Sequence, residues 1–529
     1  VAEFNWTFPY PSQRMPILAR NVVATSQPLA AQAGLRMLAA GGNAADAAVA
    51  AAVALTVVEP TSNGIGSDAF ALVWAGGGLH GLNASGRSPQ ALPADHFAGK
   101  ERVPLLGWDG VTVPGAVSAW VAVSKRFGAL PFATLCEPAV EYARRGFLVS
   151  PQTAYYWARG HERYKDFEPY QRTFCPGGRA PRAGELFSSP DHAATLRQIG
   201  ETEGEAFYRG DLAGRIADHA RETGGWLTRE DLGAQEAEWV RPISIDYHGL
   251  TLHEIPPNGQ GLAALLMLGI ADHHALQDQP VDSARSLHLQ IEAMKLAFTD
   301  AHRYIADPAW MDVRDEALLD REYLSQRAGL IDPNQAGDPG HGVPRPGGTV
   351  YLTAADAEGT MVSFIQSNYT GFGSGIVVPG TGIAMQNRGC CFTLEEGHPN
   401  QAAPGKRPYH TIIPGFVTSG DKAVMSFGVM GGLMQPQGHA QVLIRIVDYG
   451  QNPQAALDAP RWRIDGALQV TIEPGFEPRV YDELRQMGHD VKVADARTVA
   501  HGRGQVAFRL DDGYLAASDL RSDGQAVGF

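Results

Sequence analysis

Thr349 sits where a proline- and glycine-rich stretch gives way to strand-like sequence, and that is where a hydroxyl nucleophile is best delivered. The run Pro344-Arg345-Pro346-Gly347-Gly348-Thr349-Val350-Tyr351-Leu352-Thr353 closes a segment with four Pro and five Gly between Asp332 and Gly348. A threonine hydroxyl is a poor nucleophile by itself. Cutting the Gly348–Thr349 bond would give the same residue a free α-amine, with a reference pKa of about 7.7–8.0, able to take the hydroxyl proton near neutral pH. In the uncut chain that nitrogen is an amide without basicity, so one backbone cut would switch the chemistry on. By spacing alone, Gly-Gly-Thr before a strand also describes an ordinary loop. Other residues must join Thr349 before the pattern carries weight.

Three candidates do. Met430-Gly431-Gly432-Leu433 follows the strand-like Ala423–Phe427 and precedes a segment of helical character from Gln435 to Asp448. Two glycines there let backbone N–H groups approach a ligand near a helix start, the arrangement of an oxyanion hole. A turn that needs glycine only for its geometry is the plainer alternative. Ser367 lies on the strand that returns toward Thr349, placed to hydrogen-bond the threonine hydroxyl. Arg87, in Asn83-Ala84-Ser85-Gly86-Arg87-Ser88-Pro89, offers a guanidinium suited to a carboxylate, although most arginines are solvated surface charges.

The elements that must position these residues can be read around them. A helix pair is expected over 27–58, with Gly41-Gly42 ending the first helix and Asn43 capping the Ala-rich second, Asp46 standing three residues on. A strand follows at Ala69–Trp74. Residues 116–147, 211–223, Leu262 to about His273 and Val281–Tyr304 have helical character, and Val240–Glu254 has strand character. Thr349–Asp356 and Thr360–Ser367 form a hairpin around Ala357-Glu358-Gly359, and the chain beyond is mostly strands with helices near Gln435–Asp448 and Pro478–Met487. Late strands flanked by helices suggest a layered α/β sandwich.

Composition narrows the function classes. A formal charge of −14 over 529 residues argues against nucleic acid, which needs clustered Lys and Arg. Cys136, Cys175, Cys390 and Cys391 do not form a disulfide framework for a chain this long, and the adjacent Cys390-Cys391 lacks metal-ligand spacing. Asp272-His273-His274 occupies consecutive helix positions that point apart, so no metal is expected there. Gly64-x-Gly66-x-x-Ala69 follows a helix and precedes a strand, the reverse of a dinucleotide site. No cofactor is expected. The longest apolar run, Ala47–Val58, is too short to span a bilayer. With no signal-like start at Val1, a cytoplasmic protein is expected.

Taken together, the sequence resembles the γ-glutamyltranspeptidases and their acylase relatives, which are N-terminal nucleophile hydrolases. The resemblance runs nearly end to end, through Ala24-Thr25-Ser26-Gln27-Pro28-Leu29-Ala30, Gly41-Gly42-Asn43-Ala44-Ala45-Asp46-Ala47, Glu59-Pro60, Val113-Pro114-Gly115, Pro256-Pro257, Gly348-Thr349, Lys406-Arg407-Pro408, Met430-Gly431-Gly432 and Ser518-Asp519-Leu520-Arg521-Ser522-Asp523-Gly524. It implies a four-layer αββα sandwich and autocatalytic cleavage into intertwined fragments 1–348 and 349–529, with monomer and dimer of that unit both open. It further implies acyl transfer. Thr349 would attack an amide carbonyl, its amine relaying the proton. Gly431 and Gly432 would hold the oxyanion, and water would resolve the acyl-enzyme.

Departures from the family pattern speak to specificity. The transpeptidases fix a glutamyl α-carboxylate with an arginine; aligned on Pro89 that position is Ser85, and Arg87 lies two residues later. An aspartate pair that holds the α-amino group is replaced by Cys390-Cys391, so Cys391 brings no formal charge at neutral pH unless its pKa is lowered. Paired serines become His410 and Thr411, and an asparagine becomes Tyr369. An ammonium left buried without partners costs several kcal/mol in typical estimates. The expected substrate is therefore a small amide with a carboxylate and no α-ammonium, the carboxylate held by Arg87 and Arg388. Glu59-Pro60-Thr61-Ser62-Asn63-Gly64-Ile65-Gly66 looks most like a cytoplasmic branch that cleaves oxamate to oxalate and ammonia, a reaction of purine catabolism. Two alternatives stand beside it. One is a glutaryl or γ-glutamyl acylase or transpeptidase acting on cephalosporin side chains or glutathione. The other is an uncleaved relative that only binds.

Overall fold

The computed structural model describes residues 10–11, 14–339, 348–496 and 498–529. Most of the Pro/Gly-rich arm before Thr349, residues 340–347, lies outside the described residues.

Two seven-stranded antiparallel sheets dominate the fold. The first runs in the order Gln525–Gly528, Val22–Thr25, Gly348–Ala355, Met361–Tyr369, Asp68–Ala75, Gly78–Ala84 and Glu238–Val240. The second runs Ile17–Ala19, Gly513–Ser518, Arg503–Leu510, Lys422–Met430, Gly415–Ser419, Leu250–Glu254 and Ile243–Tyr247. Both sheets combine strands from before and after residue 348. Neither part therefore completes a sheet alone.

Three separate apolar clusters mark the interfaces of a four-layer stack. One joins the helices Pro28–Ala39, Ala44–Val58 and Ala116–Phe127 to the outer face of the first sheet. A second fills the space between the sheets with Phe70, Tyr351, Ile365, Phe416 and Tyr514. A third packs Gly261–Ala271, Ala284–Tyr304 and Met434–Val447 against the second sheet. The period of two sorts the nucleophile strand between them. Val350, Leu352 and Ala354 face the first helix layer, while Tyr351 and Ala355 face the second sheet.

The local signals of the sequence are realised at the helix pair. Pro28 starts the first helix, and Gln27 caps it by accepting from the Leu29 N–H at 2.6 Å. Gly41 has φ +88°, as a helix-ending glycine should. Asn43 and Asp46 form a reciprocal capping box on Ala44–Val58. All residues of that Ala-rich helix are buried, because alanine lets it press against both its neighbour helix and the sheet. A Cβ at Gly34 would lie 2.8 Å from the Ala47 carbonyl oxygen, so the crossing requires glycine.

Two expectations change in detail. Residues 116–147 hold two helices, Ala116–Phe127 and Phe132–Arg145, because Gly128 and Pro131 interrupt the run. Beside the expected strand at Asp68–Ala75, the first sheet also takes in Val22–Thr25 and Gly78–Ala84, which the sequence reading did not mark as strands. Short alternating runs before residue 100 give a weak periodic signal, and only pairing with distant strands fixes them.

Candidate active site

The nucleophile strand, Gly348–Ala355, and the return strand, Met361–Tyr369, pair antiparallel with a register shift at Thr349. Gly348 stands opposite Tyr369 and Val350 opposite Gln366, so Ser367 and Asn368 together face the single residue Thr349. Such a bulge re-aims a side chain at the end of a ladder. The Thr349 hydroxyl donates to Ser367 Oγ at 3.1 Å, and the Ser367 hydroxyl accepts from the Tyr369 N–H at 2.8 Å. Both hydroxyls are buried. Tyr369, two residues after the serine, takes φ +74°, a conformation residues other than glycine rarely adopt.

Arg503 fixes the backbone of Thr349. Its Nη2 donates to the Thr349 carbonyl at 2.9 Å and to Ser62 Oγ at 3.2 Å, and its Nη1 pairs with Glu59 Oε1 at 2.5 Å. Glu59 closes the buried Ala-rich helix and also accepts from Ser26 Oγ at 2.5 Å. Four sequence-distant segments thus converge on one peptide unit. Arg503, Glu59 and Gln260, which make these contacts, were not among the site residues singled out from the sequence; Glu59-Pro60 had marked a helix end and a family motif.

The strand Lys422–Met430 ends at Gly431, φ +148°, and Gly432, φ +64°, and the helix Met434–Val447 begins two residues later. Only glycine holds these angles without strain. Among the described residues, no acceptor lies on either glycine N–H. The Gly432 carbonyl accepts from Gln260 Nε2 at 2.9 Å, and the same amide nitrogen reaches the Thr411 carbonyl. Gln260 therefore ties the glycine turn to the segment that carries His410 and Thr411.

On that segment the structure brings Tyr369, Arg388, Cys391, His410 and Thr411 into one cluster. Arg388 is fully buried, its guanidinium 4.7 Å above the Tyr369 ring, with Nη1 donating to Thr411 Oγ1 at 2.6 Å and contacting Cys391 Sγ at 3.9 Å. Its Nε and Nη2 have no hydrogen-bond partner among the described residues. Asp68, opposite Ser367 in the sheet, accepts from the Gly86 and Gly115 N–H groups at 3.3 and 3.1 Å and lies 3.1 Å from His410 Nε2. His410 Nδ1 accepts from the Ile412 N–H, so Nε2 carries the proton that Asp68 receives. Burial raises the Asp68 carboxyl to about 7, opposed first by Arg388. Burial, then Arg388 and Arg407, hold His410 well below the usual histidine range.

Arg87 does not join this cluster. It forms an ion pair with Asp307 at 2.7 Å and donates to the Gly405 carbonyl at 3.1 Å, with 42% of its side chain exposed. Its carboxylate is supplied by the protein.

A cleft of about 740 Å³ opens beside Gly431 and Thr370. One wall is the helix Pro151–Arg163, which the sequence did not signal. Elsewhere among the described residues, His288, Glu292 and His489 have metal-ligand types and proximity. The Lys295 ammonium, 2.7 Å from Glu292, already supplies a cation there. Together these residues hold the start of the arm: His288 Nε2 meets the Asp332 carbonyl at 2.8 Å, and Glu292 accepts from the Gly337 N–H at 2.9 Å.

Comparison with known proteins agrees with this architecture. The family model described as gamma-glutamyltranspeptidase matches residues 30–529. The chain is 37% identical to the glutathione hydrolase-like YwrD proenzyme of Bacillus subtilis, over 96% of this chain and 98% of that one. It is also 37% identical to the oxamate amidohydrolase proenzyme of Klebsiella pneumoniae, over 95% and 97%. The crystal structure of a cephalosporin acylase from Bacillus halodurans superposes with TM-score 0.93 and 52% identity, covering 99% of both chains. With its stacked sheets and a family match across nearly its whole length, this chain is an enzyme of the gamma-glutamyltranspeptidase family.

Proposed function

We propose that the chain is the precursor of an N-terminal-threonine amidohydrolase whose substrates carry a carboxylate on the acyl group, with oxamate the best single match. Thr349 Oγ1 attacks the Gly348 carbonyl, the peptide bond passes to an ester, and water cleaves the ester to leave fragments 1–348 and 349–529. The freed Thr349 amine then accepts the hydroxyl proton as Oγ1 attacks a substrate carbonyl. The Gly431 and Gly432 N–H groups receive the developing negative charge. The amine leaves with a proton, and water releases the acid. A cytoplasmic place and a role in purine catabolism accompany this reading.

One observation carries it: the buried Arg388 guanidinium, stacked on Tyr369 beside the nucleophile strand, with two nitrogens unpartnered among the described residues. A buried charge without a partner is costly, and a substrate carboxylate would supply the partner. Among the described residues, the carboxylate beside this cluster is Asp68, already engaged by two N–H groups and His410. The likeness to an oxamate amidohydrolase supports the same substrate class. A second reading, an acylase on glutaryl or γ-glutamyl amides such as cephalosporin side chains or glutathione, is favoured by the cleft beside Gly431, far larger than departing ammonia needs.

Purified protein should run as two bands on a denaturing gel, the smaller starting at Thr349, and should release ammonia from oxamate. A single full-length band from an inactive preparation would favour the binding relative. Release of p-nitroaniline from a γ-glutamyl anilide, without ammonia from oxamate, would favour the acylase.

A further inference from the structure

All three nitrogens of the Arg503 guanidinium are engaged around Thr349. Nε donates to Met430 Sδ at 3.2 Å, Nη1 meets Glu59 Oε1 at 2.5 Å, and Nη2 is shared between Ser62 Oγ and the Thr349 carbonyl. The Arg503 side chain is 5% exposed and that of Glu59 2%. A guanidinium bound on every side keeps its place when a substrate arrives. What it brings to the reaction is its charge.

That charge falls on the α-amine that a cut before Thr349 would free. The nitrogen and the carbonyl oxygen of one residue lie at most about 3.6 Å apart. Arg503 Nη2, 2.9 Å from the Thr349 carbonyl oxygen, is therefore within about 6.5 Å of that nitrogen. A cation at this range disfavours a second positive charge, most strongly where water is excluded. An N-terminal ammonium, with a reference pKa of about 7.7–8.0, would otherwise keep most of its proton at pH 7 and take none from Oγ1. Glu59, on the other nitrogen of the fork, opposes the effect. Further charged and titratable groups surround the site. Asp68 lies across from Ser367 on the neighbouring strand, held by His410 and opposed by Arg388. Tyr156 approaches Arg503 from the helix Pro151–Arg163, and Arg159, Arg163 and Arg463 line the cleft beside Gly431. Of these charges, it is Arg503 that touches Thr349 itself.

We propose that Arg503 and Glu59 are an opposed pair that sets the proton affinity of the freed Thr349 amine, the cation keeping it neutral and basic near pH 7 and the carboxylate limiting that effect. Arg503 is thus a positioning residue that acts through Thr349. The ammonium gives its proton to water, and the neutral nitrogen then takes the Oγ1 proton during attack. The inference rests on the amidohydrolase reading and adds to it how the base is made ready.

The test is the acidic limb of kcat against pH, measured on the cut enzyme at saturating substrate, with oxamate and a γ-glutamyl p-nitroanilide as the amides. Saturation removes any effect of Asp68 on KM. Arg503→Met should move the limb about 0.5–1 unit to higher pH, a loss of roughly three- to tenfold in kcat below its midpoint. Glu59→Gln should move it to lower pH by about as much, because the cation is then unopposed. Arg503→Lys keeps the charge and should leave the limb within about 0.3 unit of its place, whatever becomes of the plateau rate. A merely structural pair would lower the plateau and leave the limb alone. A limb that stays in place in both Arg503→Met and Glu59→Gln, or shifts the same way in both, overturns the proposal. So does failure of both variants to be cut, which would assign the pair to folding. If the unaltered enzyme is cut and turns over neither amide, the amidohydrolase reading itself fails and takes this inference with it.

Discussion

Thr349 and the Arg388–Tyr369 cluster lie side by side and are built on opposite rules. Around Thr349 the described polar groups are answered within the chain: hydroxyl to Ser367, carbonyl to Arg503, Arg503 to Glu59. Around Arg388 the opposite holds, with two nitrogens of a buried guanidinium unpartnered among the described residues. Positioning comes from bonds that are closed, which fix one geometry. Recognition comes from bonds left open, which only a ligand can close. A completed set of contacts around a nucleophile therefore says little about substrate, whereas an incomplete one beside it names the charge that substrate should carry.

Breaking each side in turn should give different signatures. Thr349→Ala removes the nucleophile and the cut together, so one full-length band and a loss of roughly 10³–10⁶ in kcat are expected. A cut, active variant would end the mechanism. Gly431→Ala adds a Cβ 3.0 Å from Met434 Cβ at φ +148°, and disturbing the turn should cost about 10²–10³ in kcat with a smaller change in KM.

Arg388→Gln should reverse the usual link between activity and stability. Loss of a charge-assisted contact should lower kcat/KM for a carboxylate-bearing amide by roughly 10- to 100-fold. Below pH 7, where Asp68 is neutral, the melting temperature should hold or rise, since a buried charge without an ion pair has gone. A fall in both would place Arg388 on the structural side of the comparison.

Titrating Asp68 sharpens the same point. Its carboxyl is raised to about 7, so below that pH it is neutral and Arg388 acts alone. As pH rises through 7 the new negative charge competes with an anionic substrate, and KM should increase; Asp68→Asn should flatten that rise. The stability sign follows from the raised pKa. The stabilising contribution of protonated Asp68 is full below its unfolded pKa of about 3.9 and is lost as pH rises through 7. Arg87→Ala should do least: a half-exposed pair with Asp307 is worth about 0–1 kcal/mol, and KM should stay within about twofold. A large KM effect would move Arg87 back into the site.

Much of the scaffold was legible because its signals are local. Asn43 and Asp46 cap a helix with atoms three residues apart, and the Ala357-Glu358-Gly359 turn sets Thr349 and Ser367 on adjoining strands. Gly431-Gly432 showed the turn through the only residue type its angles admit. The substrate contacts were legible as candidates, yet Arg87 and Arg388 could not be ranked from their neighbours in sequence. Whether an arginine is free depends on what the fold brings to it. For Arg87 that is Asp307, 220 residues away; for Arg388 it is Thr411 on one nitrogen and an aromatic face.

By itself, then, the chain's residue order determined the helix caps, the hairpin, the glycine turn and the hydroxyl that stands first after the arm, since each is decided within a few bonds. Tertiary structure alone decided that Arg503, paired with Glu59, holds the Thr349 carbonyl, and that Arg388 is buried with two nitrogens unpartnered among the described residues. It also decided that the helix Pro151–Arg163 walls a cleft beside Gly431. Charge pairing and desolvation are properties of neighbours in space, and here those neighbours are drawn from both sides of residue 348.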